Sequence, residues 1–182
     1  PYTFSKQDEE REKDWQEYKL IYSKYVNNYH EQLFKNADSI EAKNYLKKRG
    51  LTIEEVKKFK IGYVTKNFSF YQELLKDFEE KKLKDCGLFF FNNNKKKYFE
   101  RFRERIIFPI NDISGNPIAL GGRILDNNKN LAKYINSPET NFFRKGSNLY
   151  NLDRARKLSN KVDSIYLVEG YMDVIGLSKN GI

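Results

Sequence analysis

The chain has 182 residues, with 34 Lys and Arg against 25 Asp and Glu and a net charge of +9. That length holds one large domain or two small ones with a real core. No apolar run is long enough to span a membrane, and a single cysteine, Cys86, excludes a disulfide framework or a cysteine-based zinc site within this stretch and fits a reducing cytoplasm.

Low mean hydropathy (−0.81) with 32% charged residues is found in disordered chains, but 15% aromatic residues supply large buried areas and argue for a folded core. The opening Pro1-Tyr2-Thr3-Phe4 has neither an initiator Met nor a signal segment and is expected to be a cut inside a longer chain. Charge is spread unevenly. Residues 95–105 hold six basic and two acidic groups, and residues 121–157 hold eight and three, so these two segments carry the whole excess. Clustered basic charge with interleaved Tyr and Phe points to a polyanion partner, and a pair of solvated basic faces explains it equally well.

In chain order, residues 5–35 predict a long helix. Trp15, Tyr18, Tyr22, Tyr25, Tyr29 and Leu33 recur every three or four positions to make one apolar stripe, with Ser5 and Asp8 as caps and His30 structural. A short helix with Ser39 as N-cap and Ala42, Tyr45 and Leu46 inward stops at Gly50. Thr52 and Glu55 have capping-box spacing for a helix from Ile53. Residues 68–86 predict one or two helices ending at Gly87. Beyond Gly87 the period changes. Leu88–Phe91 and Lys97–Phe99 flank the turn-rich Asn92-Asn93-Asn94, a hairpin signal. Ile106–Ile110 and Ile118–Leu120 flank a second turn at Asp112–Asn116, and Gly121-Gly122 marks a bulge or a close backbone approach to a ligand. Residues 126–148 read as a polar loop with a short strand at Tyr134-Ile135. A helix follows near Leu152, then an apolar strand at Ile165–Val168, a Glu169-Gly170 turn and a helix over Tyr171–Lys179.

Three constellations carry chemistry. Glu169 stands at the carboxyl end of an apolar strand, where α/β sheets place their sites, and can ligate a cation or move a proton; alone it is also an ordinary strand-end residue. Asp173, four residues on, extends the acidic site or sits in a first helical turn. Arg101, Arg103 and Arg105, if extended, alternate onto one face as a phosphate-binding strip, or guard an edge strand. Finally, Arg123, Lys133, Arg144 and Lys145 can neutralise phosphates, Tyr134 can stack on a base and Asn136 can bond a sugar or base edge, or the whole is a surface loop.

The ordered blocks RFRERIIFPI, GGRIL, KYINSPET, FRKGSNLYNL and VEGYMDV, preceded by YLKKRGLT and FKIGY, resemble the RNA-polymerase core of bacterial DnaG-type DNA primases over essentially the whole chain. The resemblance implies a mixed α+β fold in three parts. Residues 1–87 form a mostly helical part, 88–160 an antiparallel β and loop part with a basic groove, and 161–182 the first β–α unit of an incomplete TOPRIM domain. It implies RNA primer synthesis on single-stranded DNA, with Glu169 as catalytic acid/base or metal ligand, and Asp173 stays a possible further ligand from its position alone. Arg101, Arg103, Arg123, Lys133, Tyr134, Asn136 and Lys145 are then nucleotide or template contacts. The implied cofactor is a divalent cation, magnesium first and manganese second, with further acidic ligands beyond Ile182; zinc enters only through an N-terminal module absent from this chain. The implied partners are the template, NTPs, an RNA–DNA hybrid product and a replicative helicase reached through an absent C-terminal region, for a monomeric protein of the cytoplasm with no membrane contact. Tyr150-Asn151-Leu152 departs from the family's usual Tyr-Gly-Leu. Two rival readings are a non-catalytic single-strand binding module and another TOPRIM enzyme, such as a topoisomerase or phage primase-helicase. The first leaves the Glu-Gly turn without purpose, and the arginine and KYINSPET blocks weigh against the second.

Overall fold

The computed structural model describes residues 5–125, 131–158 and 160–182. Pro1–Phe4 and residues 126–130 of the expected polar loop lie outside the described residues. The first helix, α1 (Lys6–Lys35), starts as its sequence requires: the Ser5 side chain accepts from the Asp8 amide and the Asp8 carboxylate accepts from the Ser5 amide. The stripe is a packing face. Tyr22, Tyr25, Tyr29 and Leu33 are buried, while Trp15 and Tyr18 lie against Phe142 at ring separations of 4.7 and 4.3 Å. His30 is structural, its Nδ1 lying 2.7 Å from the Ile61 carbonyl oxygen.

Helices α2 (Ile40–Lys48) and α3 (Ile53–Lys58) follow, with the Thr52–Glu55 capping box formed and Gly50 left-handed at φ +77°. Ser39 stands at the N-cap position of α2 as expected, but its side chain makes no capping bond: its hydroxyl donates to the Gln32 carbonyl, and the Asn36 side chain caps the short turn Ala37–Ser39 that leads in. After β1 (Gly62–Val64) come two short helices, α4 (Tyr71–Leu74) and α5 (Glu80–Asp85), and Gly87 at φ +74° ends the helical part as expected. The two predicted hairpins are present, β2 (Phe89–Asn92) with β3 (Lys97–Glu100) and β4 (Arg105–Asn111) with β5 (Pro117–Ile124), as is β6 (Tyr134–Asn136). Helices α6 (Leu152–Leu158) and α7 (Tyr171–Lys179) close the described chain.

The four strands β1-β4-β5-β6 form one antiparallel sheet with a core on each face. Val64, Ile107 and Leu120 face the aromatic side of α1, together with Phe89 and Phe102. Tyr63, Ile106 and Phe108 face Leu33, α2, α3 and the first turns of α7. The contact with α1 is close enough to need a glycine: a Cβ on Gly62 would stand 2.8 Å from the Tyr29 carbonyl group. This is the mixed α+β class that the sequence implies.

Three expectations are corrected. The sheet passes through Gly121 and Gly122 in regular register, opposite Phe108 and Ile107, and the irregularity falls at Ile110/Asn111 instead. Residues 101–104 form a turn, so the three arginines do not alternate along an extended strip. Ile165–Val168 is not a strand. Ile165, Tyr166 and Leu167 are exposed, and no described strand lies beside them to complete the hydrogen-bond ladder that a buried strand needs.

One buried acid ties the helical part to the hairpin. Glu100 is 1% exposed; its carboxylate accepts from the Tyr25 hydroxyl at 2.9 Å and the Phe70 amide at 2.7 Å. Burial pushes its carboxyl up to about 7, against the pull of these donors. Between the ordinary value of 4.5 and 7 the folded chain holds a proton that the unfolded chain releases. The stability contributed by that proton is fully present below the lower value and is lost as pH rises through the upper one, a change on the order of 3 kcal/mol. Denaturant titrations from pH 4 to 8 should show this fall in the wild type, and Glu100→Gln should flatten it. Parallel curves for the two proteins would refute the assignment.

Candidate nucleic-acid interface

The site is built on the outer half of the sheet. Gly121 on β5 stands between Phe108 on β4 and Asn136 on β6, with all three on one face. Having no side chain, Gly121 leaves a seat for the Tyr171 ring: a Cβ there would stand 2.4 Å from its Cζ. The ring lies parallel to Phe108 (5.2 Å, 3°), meets Tyr150 edge-on at 4.8 Å, and donates from its hydroxyl to Asn136 Oδ1 at 2.6 Å. Burial pushes the Tyr171 phenol up to about 12, so at neutral pH it is a fixed donor.

This seat fixes where the acidic turn sits. Tyr171 is the first residue of α7 and Gly170 its N-cap, so Glu169 stands two residues from the ring that is keyed into the sheet. Glu169 is exposed, and the Asp173 carboxylate folds back over the turn: a Cβ on Gly170 would stand 2.7 Å from its Oδ2. Among the described residues no three His, Cys, Asp or Glu side chains come together as a metal site.

Arg123 stands two residues along β5, opposite Tyr134. Its guanidinium lies 4.0 Å from the Tyr45 ring centroid and 5.9 Å from that of Tyr134, and donates to the Ile124 carbonyl. The two rings hold the cation level with the sheet face without consuming its charge. By sequence Tyr45 is an inward residue of α2, and its ring position above a strand arginine is a tertiary fact with no sequence signal. Tyr134 is 39% exposed at the rim, with its phenol raised chiefly by burial. The Lys133 carbonyl accepts from the Ile124 amide while its side chain faces solvent.

Arg123, Tyr134, Asn136 and the Glu169 turn are therefore brought to one region by β5, β6 and Tyr171, and Lys133, opposite Ile124, lies at the same strand edge but alternates to the other face. Arg101 and Arg103 are not part of it. Arg101 donates to the Gly87 and Phe89 carbonyls, and Arg103 to that of Lys66, at the base of the β2–β3 hairpin. Arg105 is buried and spreads over the carbonyls of Gly122, Ala132 and Lys133, pinning the lead-in to β6. Lys145 starts a separate turn, Lys145–Ser147, with its amide donating to Glu139. Asn151 adopts φ +68° where a glycine is usual, which asparagine tolerates better than other side chains, so this departure is conformationally conservative.

Residues 23–156 match the family of the DNA primase catalytic core, N-terminal domain. The chain is 44% identical to a DNA primase of Pseudomonas aeruginosa over 146 residues, covering 78% of this chain and 21% of that protein. It is 39% identical to a DNA primase of Enterococcus faecalis over 168 residues, covering 89% of this chain and 27% of that one. It therefore spans about a quarter of the length of these relatives. A solved DnaG primase catalytic domain bound to single-stranded DNA superposes with a TM-score of 0.81 at 34% identity, over 92% of this chain and 52% of that one.

Gly121→Ala should unseat the Tyr171 ring and cost about 1–3 kcal/mol, whereas Tyr171→Phe keeps the ring and loses only the Asn136 bond, about 1 kcal/mol. Urea denaturation of the two variants measures both. Wild-type stability in Gly121→Ala would mean that the ring is not seated as described.

Proposed function

Because this chain belongs to the DNA primase family and carries the N-terminal domain of its catalytic core, we propose that it forms the template- and nucleotide-facing wall of an enzyme that makes short RNA primers on single-stranded DNA. The observation that carries this reading is the Tyr171 seat, which sets the Glu169-Gly170 turn against the strand edge bearing Arg123, Tyr134 and Asn136.

The reaction is attack of a 3′-hydroxyl on the α-phosphate of an incoming NTP, with pyrophosphate leaving. In this reading the Glu169 carboxylate accepts the hydroxyl proton. Arg123, Lys133 and Lys145 hold phosphate oxygens. Tyr134 offers its exposed ring face to a base. Asn136 already accepts from Tyr171 through Oδ1, so its amide nitrogen remains oriented to donate to a sugar or base edge. Arg101 and Arg103 keep part of their charge exposed toward template phosphates from the hairpin base, at some distance from this cluster. Residues from 161 onward then open the TOPRIM part of the core.

A divalent cation, magnesium or manganese, is implied by the family. Glu169 and Asp173 supply two carboxylates on one turn, and the described residues supply no third. They do not complete a cation site among the described residues.

Two outcomes test the reading. The 182-residue chain alone, given template, NTPs and magnesium, should bind single-stranded DNA and make no RNA; radiolabelled NTP incorporation checks this, and template-dependent product would refute it. In a chain extended to the length of its relatives, Glu169→Gln should abolish synthesis while leaving DNA affinity within about twofold. Synthesis near the wild-type rate would remove Glu169 from the chemistry. Affinity should also fall with salt, at roughly 0.7 in the log–log slope for each phosphate neutralised.

A further inference from the structure

The β2–β3 hairpin carries an outward aromatic pair away from the β5–β6 edge, exposed at Phe90 and half-buried at Phe99. Phe90 and Phe99 are direct cross-strand partners, with ring centroids 6.0 Å apart and planes only 27° from parallel. Phe90 is 38% exposed. The neighbouring pair on the opposite face, Phe89 and Glu100, is buried against the core, so alternation along the strands turns Phe90 and Phe99 outward. Three cations converge on the Phe99 ring: Lys97 at 5.0 Å, Arg103 at 5.2 Å and Lys95 at 5.6 Å from its centroid. The single acid between residues 93 and 103 is Glu100, which points inward.

We propose that this face is a base-stacking platform for single-stranded nucleic acid, with Phe90 and Phe99 receiving bases and Lys95, Lys97 and Arg103 receiving phosphates. The proposal rests on the primase reading and extends its DNA track beyond the β5–β6 edge. Bases present flat apolar faces and phosphates present negative charge at a spacing of a few ångströms, and this hairpin offers two rings 27° from parallel and ringed by three cations, with Glu104 beside Arg103 the exposed acid next to them in the chain. A pair that served only to hold the hairpin together would need neither outward exposure nor three converging cations. Every base has a π-face, so the platform is expected to tolerate any sequence.

The test is fluorescence anisotropy with the 182-residue chain and a labelled oligothymidine of about twelve nucleotides, a length within the range of single-strand binding sites. Phe90→Leu and Phe99→Leu, which keep apolar bulk, should each weaken binding about five- to tenfold. Phe90→Trp should restore or tighten it. A strand of abasic spacers should bind the wild type more weakly than oligothymidine, and that difference should shrink in Phe90→Leu. If the leucine variants fold poorly, the abasic comparison on the wild type and the tryptophan variant still decide. Equal wild-type affinity for abasic and thymidine strands would overturn the proposal, as would polyglutamate competing as well as oligothymidine. If the wild type binds no DNA even at low salt, the primase reading falls with it. If Lys133→Ala weakens binding and Phe90→Leu does not, the platform alone falls.

Discussion

The sheet can carry structure on both faces because two adjacent residues of β5 have no side chains. Gly121 receives the Tyr171 ring on one face, and on the other a Cβ at Gly122 would stand 2.6 Å from Phe102 Cδ1. Strand alternation sends consecutive residues to opposite faces, so a Gly-Gly pair thins the sheet from both sides at one level. The first face thereby fixes α7 and the acidic turn before it, and the second fixes the turn that carries Arg101 and Arg103. Gly62 does the same for α1 on β1. The Tyr171 and Phe102 rings at β5 and the Tyr29 backbone at β1 fill space that a methyl group would occupy, in an interior where even one added methylene is felt.

What the sequence made legible were features in which the cause lies within a few residues. Both capping boxes, the left-handed stops at Gly50 and Gly87, both hairpins and the packing stripe of α1 follow from local spacing alone. Misread features depend on a partner elsewhere. Ser39 holds the N-cap position of α2, but the Gln32 carbonyl takes its hydroxyl, so the side-chain bond that the residue type promises is not made. An apolar run such as Ile165–Val168 specifies a buried strand only when neighbouring strands lie beside it. Gly121-Gly122 was expected to admit a ligand or a bulge and instead admits two of the chain's own rings.

The arginine block shows the same limit for the candidate site. By residue type, Arg101, Arg103 and Arg105 are equivalent phosphate ligands. The fold separates them by what each guanidinium finds: Gly87 and Phe89 carbonyls for Arg101, the Lys66 carbonyl for Arg103, and three carbonyls under the sheet for buried Arg105. Net charge therefore overstates the positive surface, since Arg105 is spent inside the structure. Two patches that remain are the β5–β6 edge around Arg123 and the hairpin around Lys95 and Lys97, while Lys145 and the α6 residues Arg154, Arg156 and Lys157 lie outside both.

These two patches are joined through a short covalent run rather than through side-chain charge. At the hairpin base Arg101 grips the Gly87 carbonyl, and Gly87 leaves room for Pro138, whose Cγ would lie 2.8 Å from a Cβ there. The preceding residue, Ser137, is buried and bonded twice to Leu120: its amide donates to that carbonyl at 2.8 Å and its hydroxyl accepts from that amide at 2.9 Å. The residue before it, Asn136, holds the Tyr171 hydroxyl. Asn136, Ser137 and Pro138 thus connect the Glu169 turn, the centre of β5 and the hairpin base in three consecutive residues. A proline limits the backbone at and before its own position, and Ser137 commits both its amide and its hydroxyl oxygen to Leu120. The separation between the acidic turn and the basic hairpin is accordingly set by the fold before any ligand arrives, which is the condition under which positioning lowers a barrier.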